Sequence, residues 1–196
     1  MKKLILLWAV AATLVLTASG FARAADSPST PDREADHAAL RTLLSDATKA
    51  FNGQDLEKLF TYFAKDFVFT AVDQTVITDL ASAKRYYDRT LRHPDSKITS
   101  VTVEPSADVL TRFTGEASGY CYGKTRDIYT LMGTSRKVAT EGRWTAVVVK
   151  ENGVWKVAAI HIGVNFIDNP VIAYQSLPFY RKALLGMGFG KYPGEP

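Results

Sequence analysis

From residue 98 to residue 166, apolar and polar residues alternate in long stretches, and this limits the fold more than any other feature of the chain. Neighbouring side chains on a strand point to opposite faces, so a period of two marks strands with one face turned to a core. Residues 98–103, 109–113, 118–132, 137–150 and 154–166 carry the pattern. Gly133-Thr134-Ser135 and Glu151-Asn152-Gly153 read as turns. Ahead of these strands the period changes. Ala39, Leu40, Leu43, Leu44, Ala47, Ala50 and Phe51 recur at spacings of three and four, which predicts a helix from Arg33 that Asn52-Gly53 ends. Asp55 can open a short second helix. Residues 67–70 and 75–77 predict two strands joined at Asp73-Gln74. Thr78 or Asp79 can cap a third helix through Leu80, Ala83, Tyr86, Tyr87 and Leu91, closed by His93-Pro94. Helices first and strands after predict an α+β domain, with N-terminal helices packed in the concave face of a curled antiparallel sheet.

The last hairpin decides which side chains share a face. If Asn152-Gly153 is a two-residue loop, His161 lies across from Trp144. If Glu151-Asn152-Gly153 is a three-residue loop, His161 lies across from Arg143. The second is preferred, because Gly153 suits the position that needs positive φ. One face then carries Arg143, Thr145, Val147 and Val149 with Trp155, Val157, Ala159, His161, Gly163 and Asn165. The other carries Trp144, Ala146 and Val148 with Ala158, Ile160, Ile162, Val164 and Phe166. Neither is cleanly polar, so both are expected to be covered, one by the helices and the other by the C-terminal tail or a second subunit. The first face, polar at one end, is the expected lining of a small-molecule pocket. Arg143 beside His161 suits an anionic or carbonyl-bearing ligand. The competing reading is a structural cluster, with Arg143 paired to Glu141 or Asp127.

The stretches FNGQDLEKLFTYFAKDFVF (residues 51–69) and NGVWKVAAIH (residues 152–161) resemble the nuclear transport factor 2-like superfamily, in its SnoaL-like and ketosteroid-isomerase-like branches. The likeness covers residues 34–168. It implies a cystatin-like cone with a pocket between sheet and helices, and often a homodimer. It implies much less about chemistry, because members include isomerases, cyclases, dehydratases and proteins with no reaction. The isomerase branch places a carboxylate base after the first strand; a straight match puts Ala71 there, and only a shifted one brings in Asp73. The paired Asp and His of the dehydratase and cyclase branches could be attempted by Asp127 with His161, and Tyr129 shares a face with Asp127. Tyr86 and Tyr87 read as core.

Three functions follow. The leading one is a protein that binds a small molecule through Arg143, His161, Tyr129, Thr145 and Asn165, with no established reaction. The second is an enzyme using His161 and a carboxylate. The third is an interaction module with a closed pocket. His37, His93 and His161 are the only histidines, no zinc spacing occurs and no phosphate-cradling Gly loop is present, so no metal or cofactor is signalled. Cys121, the only cysteine, reads as a small buried apolar side chain.

Residues 1–24 read as a secretory signal peptide: MKK, then LILLWAVAATLVLTA, then the Ala22-Arg23-Ala24 cleavage pattern. Export to the periplasm or medium is the expectation. The formal charge of +4 includes Lys2, Lys3 and Arg23, so the processed chain stands near +1 and suits no nucleic-acid partner. Residues 25–32 read as a flexible linker, 33–168 as the domain and 169–196 as a tail. The tail is too short and too charged to span a bilayer. It reads as a strip packed on the domain, or as a surface that meets a partner or a membrane.

Overall fold

The computed structural model describes residues 32–133, 136–165, 167 and 169–195. The expected leader, the linker as far as residue 31, Thr134 and Ser135 of the expected turn, and Phe166 and Asp168 near the expected domain end lie outside the described residues.

Helix α1 (Asp32–Asn52) turns Leu40, Leu43 and Ala50 inward, as its spacing predicts. It ends in an unexpected way. The left-handed residue is Gln54 (φ 60°), not Gly53, and the Asp55 amide closes back on the Ala50 carbonyl at 2.9 Å. The Asn52 amide both donates to and accepts from the Val103 backbone, at 2.9 Å each, which ties the helix end to a sheet edge and satisfies two edge groups. Asp55 caps helix α2 (Leu56–Phe60) by accepting the Lys58 amide. Strands β1 (Phe63–Thr70) and β2 (Val76–Ile77) meet at a turn in which Gln74 has φ 66°. Helix α3 (Leu80–Tyr87) opens with a capping box between Asp79 and Ser82. One π-helical turn, Asp88–Arg92, continues it to His93, whose extended backbone before Pro94 ends it.

Five further strands follow: β3 (Ile98–Ala107), β4 (Arg112–Phe113), β5 (Ser118–Leu131), β6 (Lys137–Glu151) and β7 (Val154–Val164). The sheet order is β2-β1-β7-β6-β5-β3, with β4 also on β5. The sheet is mixed rather than antiparallel throughout. β1 runs parallel to β7, with Phe69 beside Ile160 and Thr70 beside His161. A hairpin cannot make such a pair. Here the whole intervening chain is the connection, so the parallel arrangement is open to it.

The β6–β7 hairpin corrects the preferred register. Asn152 (φ 51°) and Gly153 (φ 81°) are both left-handed, and Glu151 pairs with Val154. That is a two-residue loop of the kind Asn-Gly favours. An irregularity then shifts the register between Val147 and Val148, so His161 faces Thr145, and Arg143 faces Gly163. The shift moves Trp155 and Val157 to the inner face beside Val148, away from the face of His161.

Two apolar clusters hold helices to sheet. Leu40, Leu43, Val148 and Trp155 form one; Phe67, Ile77 and Ala83 form the other. Each large side chain so buried contributes about 1.5–3 kcal/mol. A polar knot secures the first. The Asp36 carboxylate accepts from Lys150 Nζ at 2.6 Å, from the Trp155 indole N–H at 2.8 Å and from Arg33 at 3.0 Å. Lys150 and Trp155, with Arg33 beside them, lower its pKa to about 2. Because the folded value lies below the unfolded one, near 3.8, the stabilisation is full above that pH and is lost as pH falls toward 2. Asp36→Ala should therefore cost about 1–3 kcal/mol at pH 7. Urea titrations should show the gap between variant and wild type narrowing below pH 4.

Candidate functional site

Between the two clusters the concave face of the sheet stays unfilled. A cavity of about 940 Å³ lies there, bounded by Leu44, Ala47 and Phe51 of α1, Tyr86 of α3, and Trp144 and Ile162 of the sheet. Its walls are mostly apolar, as small-molecule sites usually are. β5 supplies the exception. Its inner face reads Cys121, Gly123, Thr125, Asp127, Tyr129, one residue in two, so three polar side chains stand in a row above apolar walls.

Asp127 is the centre of that row. It is only 4 % exposed, accepts Thr125 Oγ1 at 2.6 Å and lies 3.4 Å from the Tyr129 hydroxyl. Burial pushes its carboxyl above the ordinary range, against the two hydroxyl bonds and with a small push from Glu141. Burial, with the Asp127 charge next, also drives the Tyr129 hydroxyl upward, so it stays a donor. Its 3.4 Å separation from Asp127 is long for an O–H···O bond. Thr140 of β6, opposite Asp127 in the ladder, is buried on the same wall.

The C-terminal segment adds to the wall. Helix α4 (Pro170–Gln175) and residues 192–193 bring Pro170, Tyr174, Tyr192 and Pro193 to the cavity wall. The Ala139 amide donates to the Gly194 carbonyl at 2.8 Å, beyond the point where β7 leaves β6. Tyr174 stacks on Tyr192 with ring centroids 5.2 Å apart, and the Arg136 guanidinium lies 4.3 Å from the Tyr192 ring centroid.

A family model described as a SnoaL-like domain matches residues 32–161. The chain belongs to the SnoaL-like domain family. Comparison with curated protein sequences returns no match. Among solved structures, a hexachlorocyclohexane dehydrochlorinase, LinA-type3 from Novosphingobium barchaimii LL02, is similar at TM-score 0.58 and 16% identity, covering 69% of this chain and 90% of that one. A protein assigned as a scytalone dehydratase in Novosphingobium aromaticivorans DSM 12444 is similar at TM-score 0.57 and 15% identity, covering 68% and 87%. A domain of unknown function with a cystatin-like fold from Nostoc punctiforme PCC 73102 gives 0.53 and 17%, covering 78% and 93%. At these identities the likeness is one of fold.

The SnoaL-like domain separates the residues that the sequence had grouped. Asp127 and Tyr129 line the cavity. Arg143, Thr145 and His161 are exposed on the opposite, convex face of the sheet, outside the cavity. Asn165 is exposed just past β7, where its side chain accepts the Ile167 amide at 3.0 Å. Arg143 pairs with Asp108, not with Glu141 or Asp127. No hydrogen bond can join Asp127 to His161 through the sheet between them, so their expected pairing fails. Ala71 is buried in the wall; Asp73 also borders the cavity, half exposed and tied to Arg89 at 3.1 Å. Tyr86, read as core, also borders the cavity, as does Tyr87. Cys121 is partly buried, lines the cavity and has its thiol pushed up by burial. His37, which the sequence offers no metal spacing, also lines the cavity, with its ring 5.0 Å from that of Phe113 and its Nδ1 buried without a hydrogen-bond partner among the described residues. Its place in the stripe of α1, one turn before Arg41, was the available signal. Among the described residues no cluster of His, Cys, Asp and Glu could hold a metal ion.

Proposed function

We propose that this SnoaL-like domain binds a small, mostly apolar molecule in its concave cavity and orients it through Asp127 and Tyr129. The observation that carries this reading is the buried Asp127 carboxyl beside the partly buried Tyr129 phenol on a mostly apolar wall. A carbonyl or hydroxyl oxygen would accept from Tyr129, and a ligand N–H or O–H would donate to Asp127. An anionic ligand group is disfavoured beside that carboxyl. Export to the periplasm or medium belongs to the same proposal, on the strength of residues 1–24. So does a homodimer through the convex face, where Tyr120, Tyr122 and Val147 stand exposed around Arg143 and His161.

The test is direct. The chain is purified from its native compartment and its bound small molecules are identified by mass spectrometry. The neutral fluorophore N-phenyl-1-naphthylamine, which carries one N–H, then reports the affinity of the emptied cavity. Ala146→Trp fills the cavity from the sheet side, where Ala146 is buried. It should abolish both signals while changing stability by less than about 1.5 kcal/mol, since the added rings enter existing space. Equal signals in wild type and variant would sink the reading.

A second reading keeps the same residues. A carboxyl raised above its ordinary range is a stronger base once ionised, and a neighbouring phenol can hold the oxygen of the bond being polarised. Proton removal next to a carbonyl is the matching reaction class. Deuterium entering the bound ligand from heavy water, and stopping in Asp127→Asn, would favour it over binding alone.

A further inference from the structure

Helix α5 (Phe179–Gly186) and the residues after it show an inverted pattern. Tyr180, Leu184 and Met187 fall at i, i+4 and i+7 and form one stripe, yet that stripe faces outward. Phe179 is 86 % exposed, Phe189 66 % and Met187 65 %. The segment is nonetheless anchored. Leu185 is buried on the other side, Arg136 donates to its carbonyl at 3.1 Å, and the Phe189 amide returns to Leu184 at 2.9 Å. The exposed face is therefore held in place, not frayed.

Its charge points to what covers it. Residues 169–194 contain Arg181, Lys182 and Lys191 and no Asp or Glu. Arg181 and Lys191 are exposed beside the aromatic residues. A second copy on this face would oppose like charges across a two-fold axis. Aromatic and long aliphatic side chains flanked by cations are what the headgroup layer of an anionic bilayer accepts, with rings at the acyl boundary and cations on phosphates. No described helix is long and apolar enough to cross a membrane, so the contact lies along the surface. We propose that residues 179–191 seat this protein on an anionic lipid surface. The docking stands whether or not the cavity holds a ligand. If it does, Tyr192, the residue that follows this segment, stands on the cavity wall and sets that wall near the lipid, a route for apolar cargo.

Vesicle flotation tests this on the exported chain, so that whatever becomes of residues 1–24 is common to every sample. Vesicles of phosphatidylcholine with 40 % phosphatidylglycerol are compared with pure phosphatidylcholine. Wild type should float with the first and about 25-fold less with the second, at about fivefold for each of the two exposed cations. Arg181→Gln with Lys191→Gln should lower binding to the anionic vesicles about 25-fold. Phe179→Ser with Met187→Ser and Phe189→Ser should lower it at least tenfold, with an unchanged melting midpoint. The idea is overturned if wild type ignores both vesicles or if both variants float like wild type. It is equally overturned if light scattering shows a dimer that the serine variant dissolves while no protein floats.

Discussion

Alanine at position 123 should destabilise the protein by about 3 kcal/mol or more. The strand β5 passes so close to β3 there that an added Cβ would stand 2.0 Å from the Ser106 carbonyl oxygen, 2.7 Å from the Trp144 ring and 2.9 Å from the Ala107 Cα. Two of those three atoms are backbone, so neither can turn aside. Relief requires that β3 lift from β5, and with it the wall of the cavity that β3 forms. In a chain of this size the loss appears as a fall of roughly 6–12 °C in the melting midpoint. Gly163→Ala is the matched control. It sits in β7, separated from β5 by β6, with nothing within 4 Å of its would-be Cβ, and should change stability by no more than about 0.5 kcal/mol. Equal midpoints for the two variants would refute the tight crossing.

Asp127→Asn should have two opposite effects. The first is on binding. Losing the charged acceptor while keeping the shape removes a charge-assisted bond, worth about 1.4 kcal/mol or a tenfold weaker affinity for N-phenyl-1-naphthylamine and for any ligand that donates to this group. The second is on stability. Burial raises the carboxyl in the folded state, so the folded protein loses stability as pH rises past the unfolded value, near 3.8, and through the folded one. An amide carries no such penalty. The variant should melt higher than wild type at pH 8 and at the same temperature at pH 3. A midpoint that drops at pH 8 would mean that the carboxylate serves the fold and not a ligand.

The two periods of the sequence, three to four and then two, were enough to read the three N-terminal helices, the Asp55 cap, a cap at Thr78 or Asp79, and the long strands, but not the helix at Phe179–Gly186. Each of those features is local, and its residues carry the conformational preference themselves. The parallel pairing of β1 with β7 was not legible, since both partners look like strands and nothing local states a distant neighbour. The site failed through parity. The loop type moved the register by one residue and the irregularity at Val147 and Val148 by another. The grouping of Arg143, Thr145 and His161 survived this, but Trp155 and Val157 changed sides, and with them the evidence for which face looks inward. Trp155 belongs with Leu40 and Leu43, so the concave face is that of Trp144 and Ala146, and the histidine that interrupts the apolar strand looks outward. Alternation along β5, which needs no partner to be read, puts Tyr129 on the face of Asp127, while Asp127 itself entered the candidate site only through the family resemblance, as a partner for His161.

The adjacency of β1 and β7 also sets a timetable. The strand beginning at Phe63 finds its neighbour only when the chain has been made as far as Val157 and beyond. Until then Phe67 and Phe69 belong to a two-stranded fragment with an open flank, a state prone to sticking to its own kind. Contacts so distant in sequence also slow the search for the native state. A nascent chain of this protein therefore benefits from being kept unfolded until nearly all of it has emerged, and shortened chains that stop before residue 154 should collect as aggregates.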